Sequence, residues 1–273
     1  MKKLLSLILV LISLTSCEDV IEVDVPSDEP RLMVDALMRI DTTDSSSSYV
    51  AEVKVGLTSD FFGSISPVQL QQITITNTSL SESIELLESQ SNSGVYRQDT
   101  SIDFMTSGDL ILEIMYNDVR FRATTAYVPA EPIDKLEQGE ATLFSGEETE
   151  IIVAFTDNPN RDDFYLFDFD FSQYLVTEDE FYQGQTFEFS YFYDEGLESG
   201  RIIDVSIIGV DEGFYNYMNQ IIVQAGGDQG PFQTPAATVR GNIIRVKSTN
   251  SRDDFAMGYF AVCQTFSEMI TIE

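Results

Sequence analysis

The feature that most limits how this chain folds is an apolar residue at every second position, repeated in short runs along most of its length. Ala51, Val53, Val55 and Leu57 alternate with Glu52 and Lys54, and Leu110, Leu112 and Ile114 enclose Glu113 in the same way. Val119, Phe121 and Ala123 alternate with Arg120, Arg122 and Thr124. Successive side chains of a strand point to opposite faces, so this period describes sheets with one face buried. Asn117-Asp118 separates two such runs, and both residue types tolerate the positive φ of a two-residue turn. Residues 109–116 and 119–126 are therefore expected to form a hairpin.

The second half of the chain carries the same period in aromatic form. Tyr165, Phe167, Phe169 and Phe171 make one stripe, and Phe187, Phe189, Tyr191 and Tyr193 make another. At strand spacing such stripes are expected to be core. Met257, Tyr259, Ala261 and Cys263 alternate with Gly258, Phe260 and Val262, as in a strand buried on both faces. One segment switches to helical spacing. Asp211 is placed to cap, Phe214, Tyr217, Met218, Ile221, Ile222 and Ala225 recur every three or four residues, and Gly226-Gly227 ends the pattern. A strand is expected at 242–247 after the loop Gly230-Pro231-Phe232-Gln233-Thr234-Pro235. Pro231, Phe232 and Pro235 make that loop rigid and a candidate binding edge.

Pro129-Ala130-Glu131-Pro132 interrupts the alternation, because each proline removes a backbone donor and holds its predecessor extended. The expected fold class is mainly β, with two Ig-like or related β-sandwich domains at 31–128 and 136–273 joined by a linker at 129–135. The second domain carries one amphipathic helix, near 211–225, packed on its sheet. The polar run 41–48 is expected to be a solvated loop between the first two strands.

The N-terminus adds a destination. Lys2 and Lys3 precede an apolar run from Leu4 to Leu14, shorter than the roughly 20 residues that span a bilayer, so 1–16 is expected to be a secretion signal. Leu14-Thr15-Ser16-Cys17 resembles the lipobox of bacterial lipoproteins, in which the Cys thiol takes a diacylglycerol group. Cys17 is thus the expected lipidation site, 17–30 a lipidated tether, and the outer membrane the expected location. Glu18 and Asp19 resemble the short acidic signal that sends such lipoproteins to the cell surface. Surface and periplasm-facing positions both stay open.

Charge and residue usage narrow the chemistry. The 15 basic and 46 acidic residues give a net charge of −31, which repels phosphate and excludes nucleic acid as a partner. With Cys17 lipidated, Cys263 has no partner in the chain and is expected to be a buried thiol. There is no histidine, which removes Ser-His-Asp catalysis and His-ligated zinc. No enzymatic activity and no cofactor are expected. Asp157, Asn158, Asn160, Asp162 and Asp163 are dense enough for a calcium loop, although they lack the Gly and Glu positions of an EF-hand. Turn capping is the alternative for the same residues.

Several of these segments together resemble one family. They are Cys17-Glu18-Asp19 after the lipobox, 29–34 (EPRLMV), Phe155-Thr156-Asp157-Asn158-Pro159 with Tyr165 beyond it, the helix running into Pro231-Phe232 and Pro235, Gly241-Asn242-Ile243, and Gly258-Tyr259-Phe260. The chain is similar in these to domain of unknown function 4249, over nearly the whole mature length. The resemblance implies a lipoprotein of Bacteroidota-type cells, encoded beside TonB-dependent outer-membrane receptors, with no catalytic residue to carry over. The expected function is a non-enzymatic binding or accessory subunit of such a receptor in nutrient uptake, its ligand unknown. The alternative is a structural or adhesive cell-surface module.

Overall fold

The computed structural model describes residues 29–43, 47–59, 63–143, 145–194, 196–226, 237–246 and 254–273. The signal segment, Cys17, Glu18, Asp19, most of the tether, and Pro231, Phe232 and Pro235 lie outside them. The protein is mainly β with one long helix. In chain order come β1 (Leu32–Ile40), β2 (Ser48–Leu57), β3 (Ser66–Pro67), β4 (Gln72–Asn77), β5 (Glu82–Glu85), β6 (Leu87–Glu88) and β7 (Val95–Ser101). A short helix α1 (Ile102–Thr106) leads to β8 (Asp109–Tyr116), β9 (Val119–Val128), β10 (Ile133–Gln138) and β11 (Thr149–Thr156). Then follow β12 (Phe164–Asp168), β13 (Tyr174–Glu178), β14 (Thr186–Tyr193), β15 (Ile202–Val210), helix α2 (Glu212–Ala225), β16 (Ile244–Arg245) and β17 (Met257–Thr271).

In β1, Leu32, Val34, Ala36, Met38 and Ile40 are all buried, every second residue facing the core. β8 and β9 pair as a hairpin with Tyr116 opposite Val119, and Asn117 and Asp118 hold φ of 47° and 60°. Two consecutive left-handed residues match the right-handed twist of the strands they join, and Asn and Asp accept that geometry at low cost.

The main path of the large sheet runs β5-β4-β8-β9-β17-β1-β2-β7-β6. Its two end strands are consecutive in the chain, separated only by buried Leu86, whose N–H donates to Ile73 O at 3.0 Å. Residues 82–88 thus lie against β4 at one end and β7 at the other, and the sheet curls until its edges nearly meet. Where the sequence suggests a first sandwich, the structure has a near-barrel, because one short segment satisfies both edges. Inside, Tyr96 fixes the wall by donating to Val68 O at 3.1 Å and accepting from Leu70 N at 2.7 Å. Helix α1 covers one end with buried Phe104 and Met105. Buried Asn77 ties that end shut by donating to the carbonyls of Phe104 and Ser107 and accepting from Leu80 N.

A second core lies between two layers. The three-stranded sheet β10-β11-β14 faces β12, β15 and the last part of β17 across Phe155, Tyr165, Phe167, Phe169, Tyr193, Val205 and Ile207. The aromatic stripes meet there: Phe155 packs edge-on to Tyr165 at 5.0 Å, Phe167 to Phe189 at 5.1 Å, and Phe169 stacks on Tyr191 at 3.8 Å. Such pairs add about 0.5–1.5 kcal/mol each beyond burial. Phe171 departs from the stripe. It follows the end of β12, is 41% exposed, and packs under the Arg201 guanidinium at 4.7 Å.

β17 joins the two cores. Its first half pairs in parallel with β1, Met33 opposite Met257, and its second half pairs antiparallel with β15. Phe260, Ala261, Val262 and Cys263 are all buried, as expected of a strand covered on both faces. The strand expected at 242–247 shrinks to β16, Ile244–Arg245. The reason is Asn242, whose side chain takes the place of a strand by donating to Phe260 O at 2.8 Å and accepting from Phe260 N at 2.9 Å. Gly241 and Gly258 allow that approach: a Cβ on Gly241 would stand 1.7 Å from Gly258 O, and one on Gly258 1.8 Å from Val34 O.

Candidate functional site

Helix α2 begins as the sequence suggests. Asp211 accepts from Phe214 N at 2.7 Å and also from the Tyr259 hydroxyl at 3.1 Å, so the cap fixes the helix to β17 as well as starting it. Phe214 is buried among Leu166, Ile208, Val210, Ala261 and Cys263, which places α2 over β12 and β15. The rest of its apolar stripe is only half covered. Tyr217, Met218 and Ile221 form one wall of an open groove of 310 Å³, with Met257, Gly258 and Tyr259 of β17 and Tyr174 of β13 around it.

The floor of this groove is the outward face of β1: Met33, Asp35, Leu37 and Arg39. A half-buried strand ordinarily presents polar residues there, so Met33 and Leu37 are the signal that the sequence reading missed. Both sit between inward-facing apolar residues and blur the alternation of β1. At one end Arg39 donates to Asp168 Oδ2 at 2.7 Å and ties β1 to β12. At the other, the hollow continues past Tyr217, Ile221 and Met257 to Ala237, whose N–H donates to Gln224 Oε1 at 3.1 Å. An aromatic and thioether lining with one ion pair at its end suits an apolar ligand or an apolar segment of another protein.

The thiol nearest the groove is inert. Cys263 is buried, and burial, with the Asp211 charge next in effect, pushes its pKa far above the ordinary thiol value. Tyr259 is likewise raised, first by burial and then by Asp211. Neither group ionises near neutrality.

The candidate calcium residues are brought together only in part. Asp157 and Asp163 are buried on either side of the Tyr165 hydroxyl, at 2.7 and 3.2 Å. Asp157 Oδ2 accepts from Gly184 N at 2.8 Å, and Asp163 is paired with Arg161, which also reaches Glu131 Oε1 at 3.0 Å. Asn158 donates to the same Glu131 oxygen at 3.2 Å and accepts from Asn160 N, and Asp162 accepts from Gln183 at 3.0 Å. Protein donors thus occupy these oxygens, and among the described residues no group of three or more His, Cys, Asp or Glu is placed to hold a metal ion. Burial raises the pKa values of Asp163 and Asp179, and the neighbouring carboxylates add to the rise.

No helix among the described residues is long and apolar enough to cross a membrane. Comparison with curated proteins finds no match. A family model described as "domain of unknown function (DUF4249)" matches residues 18–268. Several segments that carry the resemblance are explained by backbone geometry. Asp157 receives Tyr165 across its turn, Asn242 replaces a strand, and Gly258 lets β17 meet β1. The match runs from the residue after Cys17 to within the last strand, so it takes in both cores and the groove between α2 and β1, and the chain belongs to the DUF4249 family.

Proposed function

We propose that this protein is a lipid-anchored, non-catalytic binding lipoprotein of the outer membrane, an accessory subunit of a TonB-dependent receptor in nutrient uptake. The groove beside α2 is its binding surface. The observation that carries this reading is that groove itself: an apolar lining of tyrosine, methionine, leucine and isoleucine held open between a doubly fixed helix and the outer face of β1. The absence of histidine and the inert Cys263 thiol support a binding role over catalysis. Lipidation at Cys17 rests on the lipobox, and sorting by Glu18 and Asp19 on the acidic residues after it. The receptor rests on the gene neighbourhood that family membership implies. A relation of the second core to an Ig-like sandwich belongs with this proposal, supported by the packing of the layer β10-β11-β14 against β12 and β15.

The test is affinity purification of the full-length protein from detergent-solubilised native membranes, alongside an Ile221→Glu variant that puts a charge into the groove. The expected result is recovery of a TonB-dependent receptor with the parent protein and its loss with the variant, the fold being checked by circular dichroism. Recovery of no such receptor overturns the accessory role. Loss of cell attachment with unimpaired uptake in a deletion strain replaces it with an adhesive one.

A further inference from the structure

We propose that the free edge of β14 takes up an extended segment of a partner protein as an added strand, a segment that alternates apolar with basic residues. β14 is one margin of the three-stranded sheet β10-β11-β14, and among the described residues no strand pairs with its other side. Hydrogen-bonded pairs alternate with non-bonded ones along an antiparallel ladder. The Asp157 N–H donates to Gln185 O at 3.1 Å, which sets that alternation: Phe187, Phe189, Tyr191 and Tyr193 bond to β11. The N–H and C=O groups of Thr186, Glu188, Ser190 and Phe192 therefore point the other way, toward the open side. A row of this kind is a template for one more strand, held by main-chain bonds and selected by its alternate side chains.

Other sheet margins in the molecule are guarded, and this one is not. β10, at the opposite margin of the same sheet, follows Pro132, carries Lys135, and has a bulge between Ile133 and Lys135. The margins of the large sheet nearly meet at 82–88. β13 has only five residues and lies against α2. β14 has eight, TFEFSYFY, with no Pro, Gly, Lys or Arg and no bulge. Its inward rings Phe187, Phe189 and Tyr191 are only half-buried, although they pack on the second core. An added strand covers them with its own inward side chains, which sets its apolar positions.

Charge sets the remaining positions and the source of the strand. Lys135 is shared between Glu137 and Glu188, each at 3.2 Å, so two carboxylates on the outer face of this sheet have one cation between them. Asp194, also exposed, follows the strand. A Lys or Arg on the outward side of the added strand meets Glu188 across the new ladder. A second copy of β14 brings another Glu188 instead, in a chain of net charge −31. The chain's own run Ile21-Glu22-Val23-Asp24-Val25 alternates apolar with acidic residues and is mismatched in the same way. The occupant is therefore a segment of a different protein. This inference rests on neither the groove nor the receptor proposed above.

The test is a nuclear magnetic resonance titration of the mature chain with Cys17→Ser, using a capped eight-residue peptide that alternates valine with lysine. The amides of Glu188 and Ser190 are expected to shift and to exchange more slowly once it is bound. A peptide of the same composition with its valines grouped together, and one with glutamate in place of lysine, should each bind at least about tenfold more weakly. Only one edge of the added strand faces β14, so N-methylation of the lysine amides and of the valine amides should differ in effect by about tenfold or more. Ser190→Pro removes an N–H that makes no bond to β11, and Ser190→Ala removes only the hydroxyl that donates to Glu150 Oε1. Binding should fall about tenfold with proline and change by no more than about threefold with alanine. Equal binding by the two variants, equal binding of the two methylated peptides, or shifts confined to residues away from β14 each overturns the proposal. So does self-association of the parent chain that Ser190→Pro abolishes, which makes a second copy the occupant. Should Ser190→Pro fail to fold, the two methylated peptides with the parent chain still decide.

Discussion

The buried hydroxyl of Tyr165 donates to Asp157 Oδ1 at 2.7 Å, and the other oxygen of Asp157 accepts from the backbone N–H of Gly184 at 2.8 Å. One carboxylate, 2% exposed, thus joins the turn after β11, the strand β12 and the segment before β14. The carboxylate can be buried against the second core because both of its oxygens meet a donor.

Replacing Tyr165 by Phe keeps the edge-on contact with Phe155 and removes that donor. Leaving the buried carboxylate short of a partner should cost about 1–3 kcal/mol, more if the charge stays in place. Urea unfolding followed by tyrosine fluorescence measures this, and unchanged stability would mean that Asp157 has another donor.

The same corner predicts an unusual response to acid. Asp163 and Asp179 have pKa values raised above the ordinary 3.8, chiefly by burial, so the folded state holds their protons more tightly than the unfolded chain. Their contribution is fully favourable below the unfolded value and is lost as pH rises through the folded values. Thermal stability should therefore increase as pH falls from neutrality toward the ordinary carboxylate range. Asp179→Asn retains an oxygen to accept the Asp163 N–H, now at 2.8 Å from Asp179 Oδ2, while removing the charge. It should raise the melting temperature at pH 7 and flatten its pH dependence.

Asn242 holds both backbone groups of Phe260. Asn242→Ala should cost about 1–3 kcal/mol for the orphaned pair, and Asn242→Asp, which can still accept but no longer donate, should remain destabilising. Hydrogen exchange at the Phe260 amide is the direct readout: protection should fall with Ala and persist with Asp.

Asp211 caps α2 and accepts from Tyr259. Asp211→Asn should cost little, because an amide oxygen still caps. Asp211→Ala should cost about 0.5–2 kcal/mol and loosen the groove wall, visible as faster exchange in the first turn of the helix.

Cys263 should not react with a thiol reagent in the folded protein and should react fully in denaturant, since burial both hides the sulfur and raises its pKa. Denatured mature protein should titrate as one thiol if Cys17 carries a thioether-linked lipid, and as two otherwise.

How much of this was legible depends on whether a signal is local. The half-buried strands, the Asn117-Asp118 turn, the Asp211 cap and the doubly buried run at Cys263 could all be read from period and residue type, because each reflects a preference of the chain over a few neighbouring positions. Half of the groove was legible only as an apolar stripe on α2, expected to be packed on the sheet. Its other half was not, since Met33 and Leu37 become a floor only when α2 packs nearby.

Tertiary structure alone decided which strand edges meet. Nothing in the residues of β1 and β17 by themselves sets Met33 beside Met257, and nothing in 82–88 announces that Leu86 closes a sheet on itself. The physical reason is that backbone N–H and C=O groups are the same in every strand. Pairing is selected by the mutual fit of side chains far apart in the chain, after the entropy of closing long loops has been overcome. The meeting of Arg31 with Phe255 is of that second kind, and so is the binding of Tyr165 to Asp157 in its exact geometry of strand and turn.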